Sequence, residues 1–187
     1  AGWPELRETI ARRLRAHGVS AAPDEILITS GAQHALDLLL RAFTRPGDRV
    51  AVEAPTYAWA HPMLRLQGIE ALEVPMGPEG LDLDHLERSL ESTGAKLLYT
   101  MPNFHNPTGI ITDQAHRERL LEICERLRVP IVEDGFEEEM KYFGRSVLPI
   151  KSIDVDGLVI YVGTFSKVVF PGLRVGWLAA ARPAIER

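Results

Sequence analysis

The 187-residue sequence holds one cysteine, no apolar run longer than a few positions and no excess of positive charge. Each shortage excludes something. Cys124 alone cannot close an internal disulfide, so the chain is not a stapled secreted scaffold, and its expected compartment is the cytoplasm. A spanning helix needs about 20 consecutive apolar residues, and none is present, so no membrane partner is expected. With 21 Lys+Arg against 26 Asp+Glu the formal net charge is −5, which argues against a nucleic-acid surface on this domain. There is no Gly-x-Gly-x-x-Gly and no Walker loop, so dinucleotide and nucleoside triphosphate binding have no motif to rest on. The six histidines, His17, His34, His61, His85, His105 and His116, form no His-x-x-x-His pair, and no metal is expected.

What is present is an ordinary globular composition, 45% hydrophobic and 25% charged, which rules out disorder and a collagen-like chain. The chain begins without Met and ends in Arg182-Pro183-Ala184-Ile185-Glu186-Arg187, which reads as the opening of a helix; a piece of a longer protein is expected. Pro4 opens a helical pattern, with Leu6, Ile10 and Leu14 spaced at i, i+4, i+8 up to Gly18. Seven short apolar runs bounded by Gly, Pro, Asp or Asn then predict strands: Ile26–Thr29, Arg49–Glu53, Ile69–Val74, Lys96–Met101, Pro130–Asp134, Leu158–Gly163 and Arg174–Ala180. Several are continuously apolar, as strands covered on both faces are. Helical segments are predicted at Gly31–Phe43, Tyr57–Leu66, Asp82–Glu91 and Thr112–Leu127; in the last, Leu120, Ile123, Cys124 and Leu127 make one buried stripe. The alternation predicts a single α/β domain, three-layer αβα, with a seven-stranded and mostly parallel sheet.

In open α/β sheets ligands lie beyond the carboxyl ends of the strands, so the residues that follow each run are the candidates. Ser30-Gly31-Ala32-Gln33 opens a helix that is apolar nearly all round, and its free N–H groups could take an anion, although such residues more often simply cap a helix. Tyr57 stands at a strand-to-helix corner, where it either caps the core or faces a ligand. Asn103-Phe104-His105-Asn106-Pro107-Thr108-Gly109 is a turn-rich loop with two amides and an imidazole. Asp134 ends an apolar strand, where a carboxylate is costly without a partner, and a cation is the expected one. The run Glu137-Glu138-Glu139 beyond it reads as a solvated face. Gly163-Thr164-Phe165-Ser166-Lys167, followed by Pro171-Gly172-Leu173-Arg174, sets an amine at the mouth of a hydrophobic strand among hydroxyls and a guanidinium. Desolvation there would favour a neutral, nucleophilic amine, and the neighbours suit a phosphate.

Taken together, Asn106-Pro107-Thr108-Gly109, Ser166-Lys167 and Arg174 resemble the fold-type I pyridoxal-phosphate enzymes, specifically the class I/II aminotransferases, over nearly the whole chain. The resemblance implies the aspartate aminotransferase-like large domain across residues 1–187, with its last strand antiparallel. It implies Lys167 as the lysine that binds pyridoxal 5'-phosphate as a Schiff base and later moves the substrate α-proton. Asp134 would keep the pyridine nitrogen protonated, Asn106 would hydrogen-bond the phenolic oxygen, and Tyr57 would stack on the ring. Gly31, Ala32 and Gln33, with Thr164, Ser166 and Arg174, would hold the phosphate. Substrates would be an amino acid and a 2-oxo acid, and a homodimer is implied.

Two departures bear on that expectation. Phe136 stands where the family usually has a tyrosine donating to the phenolic oxygen, so the pH at which the cofactor's spectrum changes is expected to be set differently. The smaller carboxy-terminal domain, whose arginine grips the substrate α-carboxylate, would lie past Arg187. Within the family the Lys167 and Arg174 segments look most like the branch shared by 2-aminoadipate or aromatic aminotransferases and the MocR-type regulators. In those regulators such a domain follows a DNA-binding winged helix and senses an effector. A third reading, Thr164-x-x-Lys167 as a serine/lysine-type acyl hydrolase, lacks the serine opening a helix that such enzymes use.

Overall fold

The computed structural model describes residues 1–135 and 147–187. Among these residues eight strands form one sheet in the order β1-β8-β7-β6-β5-β2-β3-β4. They are β1 (Ile26–Thr29), β2 (Arg49–Ala54), β3 (Glu70–Gly77), β4 (Gly80–Leu81), β5 (Leu97–Thr100), β6 (Ile131–Asp134), β7 (Val159–Thr164) and β8 (Gly176–Ala179). All seven sequence-predicted strands are there. The eighth, β4, is a two-residue antiparallel return on β3, too short for any periodicity to announce it. The strands from β7 through β6, β5 and β2 to β3 pair in parallel, whereas β8 runs antiparallel between β7 and β1.

Among the described residues six helices cover the sheet: α1 (Pro4–Ala16), α2 (Ala32–Phe43), α3 (Ala60–Leu66), α4 (Leu83–Thr93), α5 (Gln114–Leu127) and the single turn α6 (Arg182–Ile185). Local chemistry sets several ends. Asp82 and Asp113 accept the N–H groups of His85 and His116 and cap α4 and α5, while Gly94 ends α4 with φ +64°. Hence α4 and α5 begin one residue after these aspartates. The helix predicted from Tyr57 starts only at Ala60, because Pro55 to Trp59 turn the chain first. Helix α2 differs from expectation in burial. Ala35, Leu36, Leu39 and Leu40 are buried, but Leu38, Ala42 and Phe43 are half-buried, and Asp37 bonds Arg41 and Gln67 on the outer side.

The period-two alternation of the strands divides the core. On one face Val50, Val52, Leu97, Tyr99, Val132, Ile160, Val162 and Leu178 pack against α2 and α3. On the other, Ala51, Leu98, Ile131 and Val159 pack against α4 and α5, while Tyr161, Trp177 and Ala179 meet α1. The domain is therefore a three-layer αβα sandwich with an eight-stranded sheet. Among the described residues no helix is long and apolar enough to cross a membrane.

Cys124 lies fully inside the α5 layer, and burial pushes its thiol up to about 12. At pH 8 only about one thiol in 10⁴ is then ionised. Native protein at pH 8 is expected to resist a thiol reagent at Cys124 for hours and to label fully in denaturant; labelling of the native form within minutes would contradict this.

Candidate active site

Alternation also decides which strand-end residues share a face. Asp134 follows Val132, Thr164 follows Val162, and Tyr99 follows Leu97, so all three lie on the α2 side of the sheet. The paired row Thr29, Gly176 and Thr164 brings the α2 start, the β8 start and the β7 end to the same edge. A cavity of about 240 Å³ opens there, lined by Ala32, Gln33, Tyr57, Asn106, Asp134, Thr164, Ser166, Lys167 and Arg174.

One end of the cavity is built for an anion. Gly31, with φ +88°, is the residue before α2, and no side chain caps that helix, so the first-turn N–H groups of Ala32 and Gln33 remain available. The Ser30 N–H is taken by His34 Nδ1, 3.0 Å away. Arg174 donates from Nη2 to the Ser30 carbonyl at 3.2 Å and from Nη1 to Ser166 Oγ at 3.4 Å. Thr164 Oγ1 accepts the Ser166 N–H at 3.1 Å and lies the same distance from the Val175 carbonyl. Gly31 does not itself line the cavity, but a Cβ there would sit 2.5 Å from Arg174 Nη2, so its lack of a side chain lets the guanidinium in.

The opposite pole is acidic. Asp134 is buried, and Tyr99 donates its hydroxyl to Asp134 Oδ2 at 2.8 Å. This donor is a neutral phenol. Burial, then the charge of Asp134 and the hydrogen bond to it, raise the Tyr99 phenol well above its ordinary value. Tyr57 is half-buried; burial and Asp134 raise its phenol, and Arg174 works against them, so the ring feels both poles. Lys167 lies on the exposed side of the cavity, three residues past β7, rather than buried at a strand mouth.

Sequence reasoning missed Tyr99, Leu36 and Pro171, which also line the cavity. Tyr99 sits within a predicted strand on the same alternation as Leu97, so its orientation was readable, but its partner is 35 residues away. Phe104 of the Asn106 loop is not among the lining residues, and Phe136 with Glu137-Glu138-Glu139 falls outside the described residues. Among the described residues no group of three or more His, Cys, Asp or Glu could hold a metal ion.

Cation-rich donors at one end, a buried carboxylate at the other and an aromatic ring beside both suit a small flat ring carrying an anionic substituent and a basic nitrogen. Pyridoxal 5'-phosphate has that form, and the residues present fit it. The family model for aminotransferases of class I and II matches residues 1–187. The chain is 41% identical to aromatic-amino-acid aminotransferase 1 of Thermococcus litoralis, over 96% of this chain and 44% of that protein. It is 36% identical to the uncharacterized HTH-type transcriptional regulator YdfD of Bacillus subtilis, over 100% of this chain and 39% of that one. Among solved structures it resembles LysN, the alpha-aminoadipate aminotransferase of Thermus thermophilus complexed with N-(5'-phosphopyridoxyl)-L-leucine. That match has a TM-score of 0.90 at 41% identity, covering 99% of this chain and 47% of that one. The chain thus spans under half the length of these relatives.

Proposed function

Because the chain belongs to the class I and II aminotransferases, we propose that the full-length protein uses pyridoxal 5'-phosphate to move an amino group from an amino acid to a 2-oxo acid. The observation that carries this reading is the single cavity shared by Lys167, Asp134, Asn106 and Tyr57 with an anion cup of Thr164, Ser166, Arg174 and the α2 amino end. When bound, the cofactor supplies an electron sink that stabilises charge at the substrate α-carbon.

The rest is the work of this chain's residues. Arg174, Ser166, Thr164 and the N–H groups of Ala32 and Gln33 hold the phosphate. Asp134, which accepts the Tyr99 hydroxyl, would keep the ring nitrogen protonated by charge complementarity. Asn106 would donate to the phenolic oxygen, and Tyr57 would cover a ring face. Lys167 is the nucleophile that attaches the cofactor and the base that moves the α-proton. Residues 1–187 form the cofactor-binding domain, and the grip on the substrate carboxylate comes from the remainder of the full-length protein. A homodimer in the cytoplasm completes the reading. Its support is the exposed apolar run Val168-Val169-Phe170 with Leu173 beside the cavity, and the lone buried thiol.

A second reading is kept because several relatives carry the printed name of an HTH-type transcriptional regulator. In it the same cavity serves an effector-sensing domain of a MocR-type regulator. The test is a visible absorption titration of the full-length protein with pyridoxal phosphate, followed by a panel of amino acids with a 2-oxo acid acceptor. A saturable band with release of new 2-oxo acid is the expected result. A band that responds to amino acids without turnover favours the sensor, and no saturable band overturns both.

A further inference from the structure

We propose that Glu53 and His105, a buried pair on the far face of the sheet, are positioning residues that hold Asn106 in the cavity through their 3.1 Å contact. The inference rests on the reading of Asn106 given under Proposed function and assigns what sets that residue's place.

Both members are 2% exposed. Glu53, the last residue but one of β2, lies on the face of Ala51, away from α2, and Thr100 ends β5 on the face of Leu98. Glu53 Oε1 accepts the Thr100 hydroxyl at 2.6 Å and the Met101 N–H at 2.9 Å. Its other oxygen, Oε2, lies 3.1 Å from His105 Nε2. The second ring nitrogen, Nδ1, accepts the Thr108 N–H at 3.4 Å and stands 2.8 Å from Thr108 Oγ1. A backbone N–H can only donate, so Nδ1 is bare and the ring proton sits on Nε2, the nitrogen nearest Glu53, in a close contact that lacks the alignment of a hydrogen bond.

The turn held in this way is short and closed on itself. Gly109 N–H returns to the His105 carbonyl at 2.6 Å, and His105 N–H reaches the Ile110 carbonyl at 2.9 Å. His105 is thus the point where the 105–110 turn is tied to the sheet, and the next residue, Asn106, lines the cavity. Glu53 also precedes Tyr57 by four residues on the segment leaving β2, so one carboxylate anchors the two segments that carry Asn106 and Tyr57. A buried carboxylate is a poor way to gain stability compared with apolar packing. Its worth here is direction, because the 3.1 Å approach of Oε2 to Nε2 sets which way the turn faces.

Glu53→Gln separates positioning from bulk. The Thr100 and Met101 donors pin the amide oxygen at the Oε1 site, so the amide NH₂ faces His105 and forces its proton to Nδ1, against the Thr108 N–H. In the full-length, cofactor-loaded protein, Glu53→Gln is expected to weaken pyridoxal phosphate binding about tenfold. It should also move the pH midpoint of the visible band in the direction that Asn106→Ala moves it. The double variant should move it no further than Asn106→Ala alone, and in cofactor-free protein the His105 and Gly109 amides should exchange faster. An unmoved midpoint in a folded Glu53→Gln, or an additive double variant, overturns the inference while leaving the cofactor reading intact. A wild type with no saturable band overturns that reading instead. Should Glu53→Gln not fold, ring nitrogen-15 shifts of wild-type His105 decide: a proton on Nε2 supports the proposal, and a proton on Nδ1 overturns it.

Discussion

Lys167→Ala in the full-length protein is expected to lower turnover by about 10⁴-fold or more, the upper range for a single positioned proton-transfer group. Two functions are lost together, because the same nitrogen attaches the cofactor and moves the α-proton under the proposed mechanism. Lys167→Arg should be as inactive, since a guanidinium keeps the charge but does not release a proton in proteins. Cofactor binding should weaken but persist. Arg174, Ser166, Thr164 and the α2 amino end remain at the phosphate end, and Asp134 with Tyr99 remains at the other. The check joins 2-oxo acid release with borohydride treatment and peptide mapping. The cofactor's mass should appear on the Lys167 peptide of the wild type and on no peptide of either variant. Residual activity within tenfold, or label on another lysine, would remove Lys167 from the chemistry and leave the cavity as a binding site alone.

The strand ends were legible in the sequence because chain position alone announces them. Apolar runs closed by Gly, Pro or Asp gave seven strands, and the rule that ligands lie past their carboxyl ends led to nine residues that do line one cavity. Pairings across the sheet were not legible in the same way. Tyr99 meets Asp134, and Glu53 meets His105, over separations that only the strand order β5-β6 and β2-β5 brings together. A signal for Glu53 was nevertheless present. It is a carboxylate ending an apolar strand, the feature that singled out Asp134, and the same cost of burial applies to both. Lys167 shows the opposite limit, since its place past β7 was readable but its exposure depends on what covers the cavity mouth.

Arg117 was hidden by its type. It lies one turn before Leu120 on the stripe that continues to Cys124, so its spacing is that of a core residue, yet an arginine in a helix of charged neighbours reads as solvated. It is fully buried. Nε donates to Thr112 Oγ1 at 2.9 Å and Nη1 to the Leu148 carbonyl at 2.8 Å. Nη2 reaches the Pro102 carbonyl at 3.0 Å, Asn103 Oδ1 at 2.7 Å and the Thr112 carbonyl at 3.1 Å. One guanidinium therefore fastens both ends of the 102–112 loop that carries Asn106. Arg117→Met keeps the apolar stem but leaves buried acceptors without donors, each costing about 1–3 kcal/mol. The expected loss is about 4 kcal/mol, a large share of the roughly 5–15 kcal/mol that holds a domain together. Arg117→Lys should recover part of it, because an ammonium can serve one or two of these acceptors but cannot span all of them as a planar fork does. Denaturant titration of the full-length protein checks the loss, and amide exchange at Thr112, whose N–H meets the Pro102 carbonyl at 3.0 Å, checks that the loop is where it falls. A loss under about 1 kcal/mol for Arg117→Met would mean that water takes over the loop's acceptors, and that Glu53 with His105 holds Asn106 without help from α5.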